Sequence, residues 1–119
     1  MSDQNLYITF NNTTPFELRL RQKIISHGEW GNEPPETIPP QQVVKISAGG
    51  KSNLQGYFIY VTADFGEDHP LAVMWRYQAD GKPGRMVTAS RENFEVEPPF
   101  SDLRVPTADV DVKVFWLER

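Results

Sequence analysis

The chain has 119 residues, of which 39% are hydrophobic, 12% aromatic and 24% charged, a balance typical of one folded globular domain and not of a disordered segment. The formal net charge of −4 argues against nucleic acid as a partner unless one basic face is segregated, and it also argues against simple electrostatic adsorption to anionic lipid. Cysteine is absent, which excludes disulfides, thiol catalysis and zinc held by cysteine. We expect a single domain over residues 1–119.

The beginning of the chain does not carry a targeting pattern. Residues 1–5 are polar and lack the basic and apolar regions of a signal peptide. The longest mostly apolar stretch, residues 56–63, is too short to span a bilayer as a helix. We therefore expect a protein made in the cytoplasm without a signal peptide, which acts at a target membrane if it is released.

Apolar and polar residues alternate with a period of two in the first part of the chain. The alternation predicts strands over residues 6–10 and 16–21, separated by a turn rich in Asn and Thr at 11–15, and we expect these two strands to pair antiparallel. Residues 26–42 contain four prolines, so we expect the longest irregular stretch there. A long ordered loop of this kind is often functional.

The middle of the chain carries the strongest strand signals. Residues 43–46 predict a short strand, and residues 48–53 predict a flexible turn with two glycines. The stretch over 56–63 is apolar or aromatic on both faces, which places it at the centre of a sheet. Residues 71–77 alternate again, and a further turn is expected at 79–84.

The strand pattern weakens after residue 84 and returns at the end. Short strands are predicted at 86–88 and 94–96, with prolines 98, 99 and 106 breaking the chain between the later elements. Residues 110–116 alternate once more, and a strand there ties the C-terminus into a sheet. Many short strands with turns between them predict an all-β fold, namely a single-domain antiparallel β-sandwich.

The sequence lacks the residue patterns of the common catalytic sites. His27 and His69 are the two histidines, and they are too few and too far apart for a usual three-ligand metal site. There is no Gly-x-Ser-x-Gly elbow, phosphate loop or dinucleotide fingerprint. The carboxylates are dispersed, and a glycosidase pair usually needs a larger scaffold. We expect no enzyme, no metal and no cofactor.

The aromatic residues are the candidates for a binding surface. Amphipathic rings near loops suit both membrane interfaces and the faces of sugars. Trp75 and Trp116 are better explained as core residues, whereas Trp30 is balanced between packing and an interface. The candidate lipid- or ligand-binding residues are Trp30, His27, Tyr57, Tyr60, Trp75 and Tyr77.

An ordered series of short motifs extends over residues 8–77. It comprises the Asn-rich segment 8–14, the strand 16–20 leading to His27-Gly28-Glu29-Trp30, Ile38-Pro39-Pro40, Gly49-Gly50, and the aromatic runs 56–60 and 74–77. This series resembles the aegerolysins, and more narrowly their small bacterial insecticidal crystal proteins of binary toxins. Residues 85–108 have no counterpart in the pattern.

The resemblance implies a toxin-like, cytolysin-type β-sandwich that binds membrane lipid. In that family such a protein often acts as the targeting half of a two-component pore-forming or insecticidal toxin, so a larger second toxin component is implied as a partner. The alternative is a soluble carbohydrate- or protein-recognition module without membrane activity, since aromatic faces also bind sugars and proteins. The first strand carries no strong edge protection, which leaves a homo-oligomer formed by edge pairing open.

Overall fold

The computed structural model describes residues 4–51, 53–77, 84–103 and 107–117, without the side chain of Glu67. These ranges hold one short 3-10 turn, Gly66–Asp68, and none of their helices is long and apolar enough to cross a membrane. The strands are β1 Gln4–Asn12, β2 Leu18–His27, β3 Glu29–Trp30, β4 Thr37–Ile38, β5 Val43–Gly50, β6 Leu54–Thr62, β7 Leu71–Tyr77, β8 Gly84–Ala89, β9 Phe94–Glu97, β10 Phe100–Leu103 and β11 Thr107–Trp116.

The strands form two sheets that pack face to face. The five-stranded sheet has the order β3-β5-β1-β11-β9, and the six-stranded sheet has the order β10-β8-β7-β6-β2-β4. Neighbouring strands are antiparallel except for β1 and β11, which run parallel. The predicted all-β sandwich is confirmed, and the central position of the strand at 56–63 is confirmed as well, since β6 lies between β7 and β2.

Alternate residues of the strands point into one core between the sheets. In β1 and β6 every second residue is buried, which is the pattern of strands with one inner face. Aromatic rings join the two layers: the ring centroid of Phe10 lies 5.4 Å from that of Phe58 and 5.6 Å from that of Tyr60. Edge-on and offset ring pairs at such distances add to the free energy gained by burial.

The predicted pairing of the first two strands is wrong. β1 lies between β5 and β11, whereas β2 lies in the other sheet, between β6 and β4. The chain crosses between sheets at the buried Asn12, whose Nδ2 donates to the carbonyl oxygens of Phe16 at 2.8 Å and Pro39 at 3.1 Å. Its Oδ1 accepts from the Thr14 hydroxyl at 2.6 Å. The bond to Pro39 links the crossover to a residue far along the chain, and β1, as an inner strand, offers no free edge.

Three further expectations about local structure need correction. The stretch 26–42 is not wholly irregular, because β2 continues to His27 and β3 and β4 lie within it. Gly49 and Gly50 are not a turn but the end of β5, paired with β1. A strand, β10, follows the proline pair at 98–99. The turn predicted at 79–84 and the break at proline 106 lie outside the described residues, except for Gly84, which begins β8.

Candidate functional site

Three of the candidate aromatic residues lie in the core. Tyr60, Trp75 and Tyr77 are buried. The Tyr60 hydroxyl donates to the Pro35 carbonyl oxygen at 2.6 Å, and the Tyr77 hydroxyl donates to that of Asn5 at 3.4 Å. Burial raises the pKa of Tyr60 well above its ordinary value, and burial, with the nearby Asp109 carboxylate, raises the pKa of Tyr77 to about 12. Both phenols are therefore neutral interior groups whose hydroxyls hydrogen-bond to neighbouring backbone carbonyl oxygens.

The other three candidates reach the surface at separate places. Trp30 is half-buried and packs edge-on against Trp75, with ring centroids 5.6 Å apart. His27 is exposed at the end of β2, opposite Gln55. Tyr57 is half-buried on the outer face of β6. The structure thus does not unite the six candidates in one site, and a binding role for them stays a prediction.

The outer face of the six-stranded sheet carries a row of apolar side chains, which we call the apolar row. Each member is the direct cross-strand neighbour of the next, from β2 through β6, β7 and β8 to β10. Four members are 39–61% exposed, and the fifth, Tyr57, is half-buried. The row consists of Ile24, Tyr57, Met74, Val87 and Phe100.

The rows on either side of the apolar row differ in character. On one side Ile59, Ala72 and Ala89 lie opposite one another and extend the apolar surface. On the other side the neighbours are polar, with Arg76 of β7 directly opposite Arg85 of β8. The outer face of an antiparallel sheet is usually solvated and polar, so a continuous apolar band at this position is a feature that the fold itself does not require.

A groove of about 430 Å3 lies along this face, and we call it the sheet groove. Gly56 and the buried Trp75 contribute to its lining, and Trp75 Nε1 has no hydrogen-bond partner among the described residues. A Cβ atom at position 56 would lie 2.9 Å from Trp75 Cζ2 and 2.6 Å from the Ile24 carbonyl oxygen. Glycine therefore lets β2, β6 and the Trp75 indole approach closely here. The remaining lining residues are Ile24, Ser26, Gln55, Tyr57, Met74, Arg76, Arg85 and Val87.

The outer face of the five-stranded sheet is different in chemistry. Its cross-strand rows bring Lys45, Thr9 and Asp111 together, and place Tyr7 beside Asp109. Lys45 Nζ donates to Thr9 Oγ1 at 2.9 Å. Polar and charged side chains are usual on the solvated outer face of an antiparallel sheet. The apolar band therefore distinguishes the outer face of the six-stranded sheet from that of the five-stranded sheet.

A second cavity, of about 340 Å3, lies at the β3 end of the five-stranded sheet, and we call it the Trp30 cavity. Trp30 and Tyr7 supply aromatic surface, while Glu29, Ser47 and Lys51 supply polar groups. Within the described ranges no three His, Asp or Glu side chains gather as a metal site. The absence of a metal, a cofactor and an enzymatic activity stays a prediction.

Sequence reasoning missed the apolar row, because a row is a property of register. Met74 and Val87, like Ala72 and Ala89, are apolar residues at solvent-facing positions of alternating strands, and this is the local signal that the sequence holds. The arginine pair was likewise hidden, since Arg76 and Arg85 belong to different strands.

Comparisons with known proteins bear on the fold. No protein-family model and no curated protein sequence matches the chain. Among solved structures it is similar to the crystal structure of the lipid binding protein Nakanori, with a TM-score of 0.74 and 10% sequence identity, over 94% of this chain and 71% of that chain. The two chains share a fold. At 10% identity the likeness concerns the fold alone. The apolar row is observed in the present chain and is not inferred from the similar structure.

Proposed function

We propose that this protein is a membrane-lipid-binding β-sandwich without enzymatic activity, and that the outer face of its six-stranded sheet is the surface that meets the membrane. The apolar row is the observation that carries the proposal. A lipid-binding protein with the same fold supports it, although the sequences share only 10% identity. The earlier resemblance of the motifs at residues 8–77 to the aegerolysins supports the same function.

The physical basis is the free energy of removing apolar surface from water. Transfer of such surface contributes about 25 cal/mol per Å2, so several half-exposed side chains in one row together favour a membrane interface. Tyr57 adds an amphipathic ring, and such rings are enriched where headgroups meet acyl chains. Arg76 and Arg85 flank the row, and long basic side chains can reach the headgroups while their stems remain on apolar surface.

The finer proposal follows the aegerolysin resemblance. The protein acts as the targeting component of a two-component, pore-forming or insecticidal toxin, and a larger second component supplies the pore. It is made in the cytoplasm and meets its target membrane after release. A test of this part is whether a gene for a larger toxin-like protein lies beside its own, and whether the two proteins together permeabilise vesicles that neither permeabilises alone.

Vesicle sedimentation tests the lipid-binding proposal itself. The purified protein is mixed with vesicles of phosphatidylcholine, with or without sphingolipid, and with vesicles of a neutral galactolipid. We expect it to sediment with at least one of these membranes. If it stays in the supernatant with every lipid, with and without the second component, the proposal is wrong.

The Trp30 cavity favours a second candidate, a soluble carbohydrate-recognition module. Trp30 and Tyr7 offer ring faces on which a sugar could stack, and Glu29 and Lys51 offer hydrogen-bonding groups beside them. A glycan array separates the two functions. Binding to defined glycans that is lost in Trp30→Ala, together with no sedimentation on vesicles, would favour the carbohydrate module over the membrane protein.

A further inference from the structure

Two arginines lie face to face at the polar border of the sheet groove. Arg76 on β7 and Arg85 on β8 are direct cross-strand partners, and both are exposed on the outer face. Like charges directly opposite each other on a sheet are destabilising. The pair therefore opposes folding slightly, and an anion bound between the two guanidinium groups would remove that cost.

Among the described residues, the neighbours of the pair leave most of this positive charge uncompensated. Arg85 Nε lies 3.9 Å from Asp102 Oδ1, and both side chains are exposed, so this ion pair contributes little. In the part of the chain that the structure describes, Arg76 has no acidic partner within ion-pair distance. The Arg85 guanidinium carbon instead lies 6.0 Å from the centroid of the exposed Phe100 ring, which holds it beside the apolar row.

The charges of the protein are distributed unevenly between its two outer faces. The chain as a whole is acidic, with a net charge of −4, and the outer rows of the five-stranded sheet include Asp109, Asp111, Glu95 and Glu97 beside Lys45 and Lys113. The arginine pair lies on the opposite side of the sandwich. The net charge of the chain therefore does not describe the face that carries the apolar row, and an anion approaching that face meets two cations first.

The sheet groove is amphipathic. One side is lined by the row of Gln55, Arg76 and Arg85, and the other side is lined by Tyr57, Met74 and further members of the apolar row. This arrangement complements a molecule with an anionic head and an apolar tail. A phosphate group suits the polar side, because a guanidinium group donates two parallel hydrogen bonds to adjacent phosphate oxygens.

We propose that Arg76 and Arg85 bind the phosphate group of a membrane phospholipid whose apolar part lies along the apolar row. This inference rests on the proposed membrane function and names the headgroup chemistry that the same surface selects. The phosphate sits between the two guanidinium groups and relieves their mutual repulsion.

The test compares two neutral membranes that differ in phosphate. Vesicles of phosphatidylcholine carry a phosphate in every headgroup, whereas vesicles of digalactosyldiacylglycerol carry none, and neither has a net charge. We expect the protein to bind phosphatidylcholine more tightly. The double variant Arg76→Gln with Arg85→Gln should lose about a hundredfold in affinity for phosphatidylcholine and little for the galactolipid, since one charge-assisted hydrogen bond from each arginine corresponds to about tenfold.

A matched control removes two positive charges from the opposite face. Lys45 and Lys113 lie on the outer face of the five-stranded sheet, so Lys45→Gln with Lys113→Gln produces the same change in net charge. This control should bind both membranes as the parent protein does. A third variant, Arg76→Lys with Arg85→Lys, keeps the charge but loses the paired donors, and we expect an intermediate affinity. Urea unfolding of each variant establishes that it is folded.

The outcomes separate this inference from the proposed function. If the parent protein binds both membranes equally, or if the arginine variant binds phosphatidylcholine as well as the lysine control does, the phosphate site is wrong and membrane binding stands. If the parent protein binds neither membrane, the phosphate site is wrong, and if it also stays in the supernatant with sphingolipid vesicles, with and without the second component, both proposals are wrong. Titration calorimetry with inorganic phosphate shows whether the arginine pair binds free phosphate or the phosphate of a lipid. We expect no heat of binding with inorganic phosphate. Saturable binding of inorganic phosphate, together with displacement of the protein from vesicles of both lipids by that phosphate, would overturn a lipid-specific site.

Discussion

Replacing Phe100 by serine tests whether the apolar row enters the membrane. Phe100 is 61% exposed, the largest exposed fraction in the row. An aromatic side chain offers about 150–250 Å2 of surface, so about 120 Å2 of this ring remains available to a membrane. At about 25 cal/mol per Å2, complete immersion of that area contributes about 3 kcal/mol, and immersion of half of it contributes about 1.5 kcal/mol.

We therefore expect Phe100→Ser to weaken vesicle binding by about ten- to a hundredfold. The matched control is Tyr7→Ser, because Tyr7 is 46% exposed on the outer face of the five-stranded sheet. It should bind vesicles like the parent protein. Phe100→Leu keeps most of the apolar area but removes the contact with the Arg85 guanidinium, so it should retain most of the affinity.

Sedimentation titrations on phosphatidylcholine vesicles measure these affinities, and urea unfolding checks that each variant keeps the stability of the parent. Surface substitutions of this kind usually change the free energy of unfolding by no more than about 0.5 kcal/mol. Equal losses in Phe100→Ser and Tyr7→Ser, or no loss in Phe100→Ser, would refute the argument that the six-stranded sheet faces the membrane.

Three further predictions concern the fold that holds this surface. Asn12→Ala removes the buried bonds of the crossover between sheets and should lower the free energy of unfolding in urea by about 3 kcal/mol or more; a loss below about 1 kcal/mol would contradict that role. Gly56→Ala forces a methyl group against Trp75 and should lower the free energy of unfolding by about 1–3 kcal/mol. An unchanged thermal midpoint would contradict this close approach. The pKa of Tyr77 rises from 10.0 in the unfolded chain to about 12 in the folded protein, so the stabilisation that the neutral phenol gives is complete below pH 10 and declines towards pH 12. Urea titrations across that window should show that the free energy of unfolding declines less steeply with pH in Tyr77→Phe than in the parent protein.

The strands that could be predicted are those whose information is local. Alternation placed β7 at residues 71–77 as the structure has it, and the two apolar faces of β6 indicated a central strand. The separation of β1 from β2 could not be predicted, because it depends on bonds from Asn12 to residues far along the chain. The strand β10 was hidden between prolines, which interrupt the pattern without preventing a short edge strand.

The candidate site was less predictable than the strands, for a similar reason. Tyr60 and Tyr77 were predicted as binding residues because they are aromatic. Tyr77, however, shares its strand face with Leu71 and Val73, which form the core. The apolar row needs the pairing of β7 with β8 to bring Met74 and Val87 together. Cross-strand register is set by the whole sheet, so a single sequence does not reveal it.

The most direct test of the central claim uses the absence of cysteine in the chain. Single cysteines are introduced as Val87→Cys in the apolar row and Val43→Cys on the five-stranded sheet, two sites that are 39% and 50% exposed, and each is labelled with a polarity-sensitive fluorophore. On vesicles that sediment the protein, we predict a blue shift of the emission at position 87 and none at position 43. A shift at position 43 alone, or no shift at either position while the protein is bound, would contradict the assignment of the six-stranded sheet as the membrane-binding face.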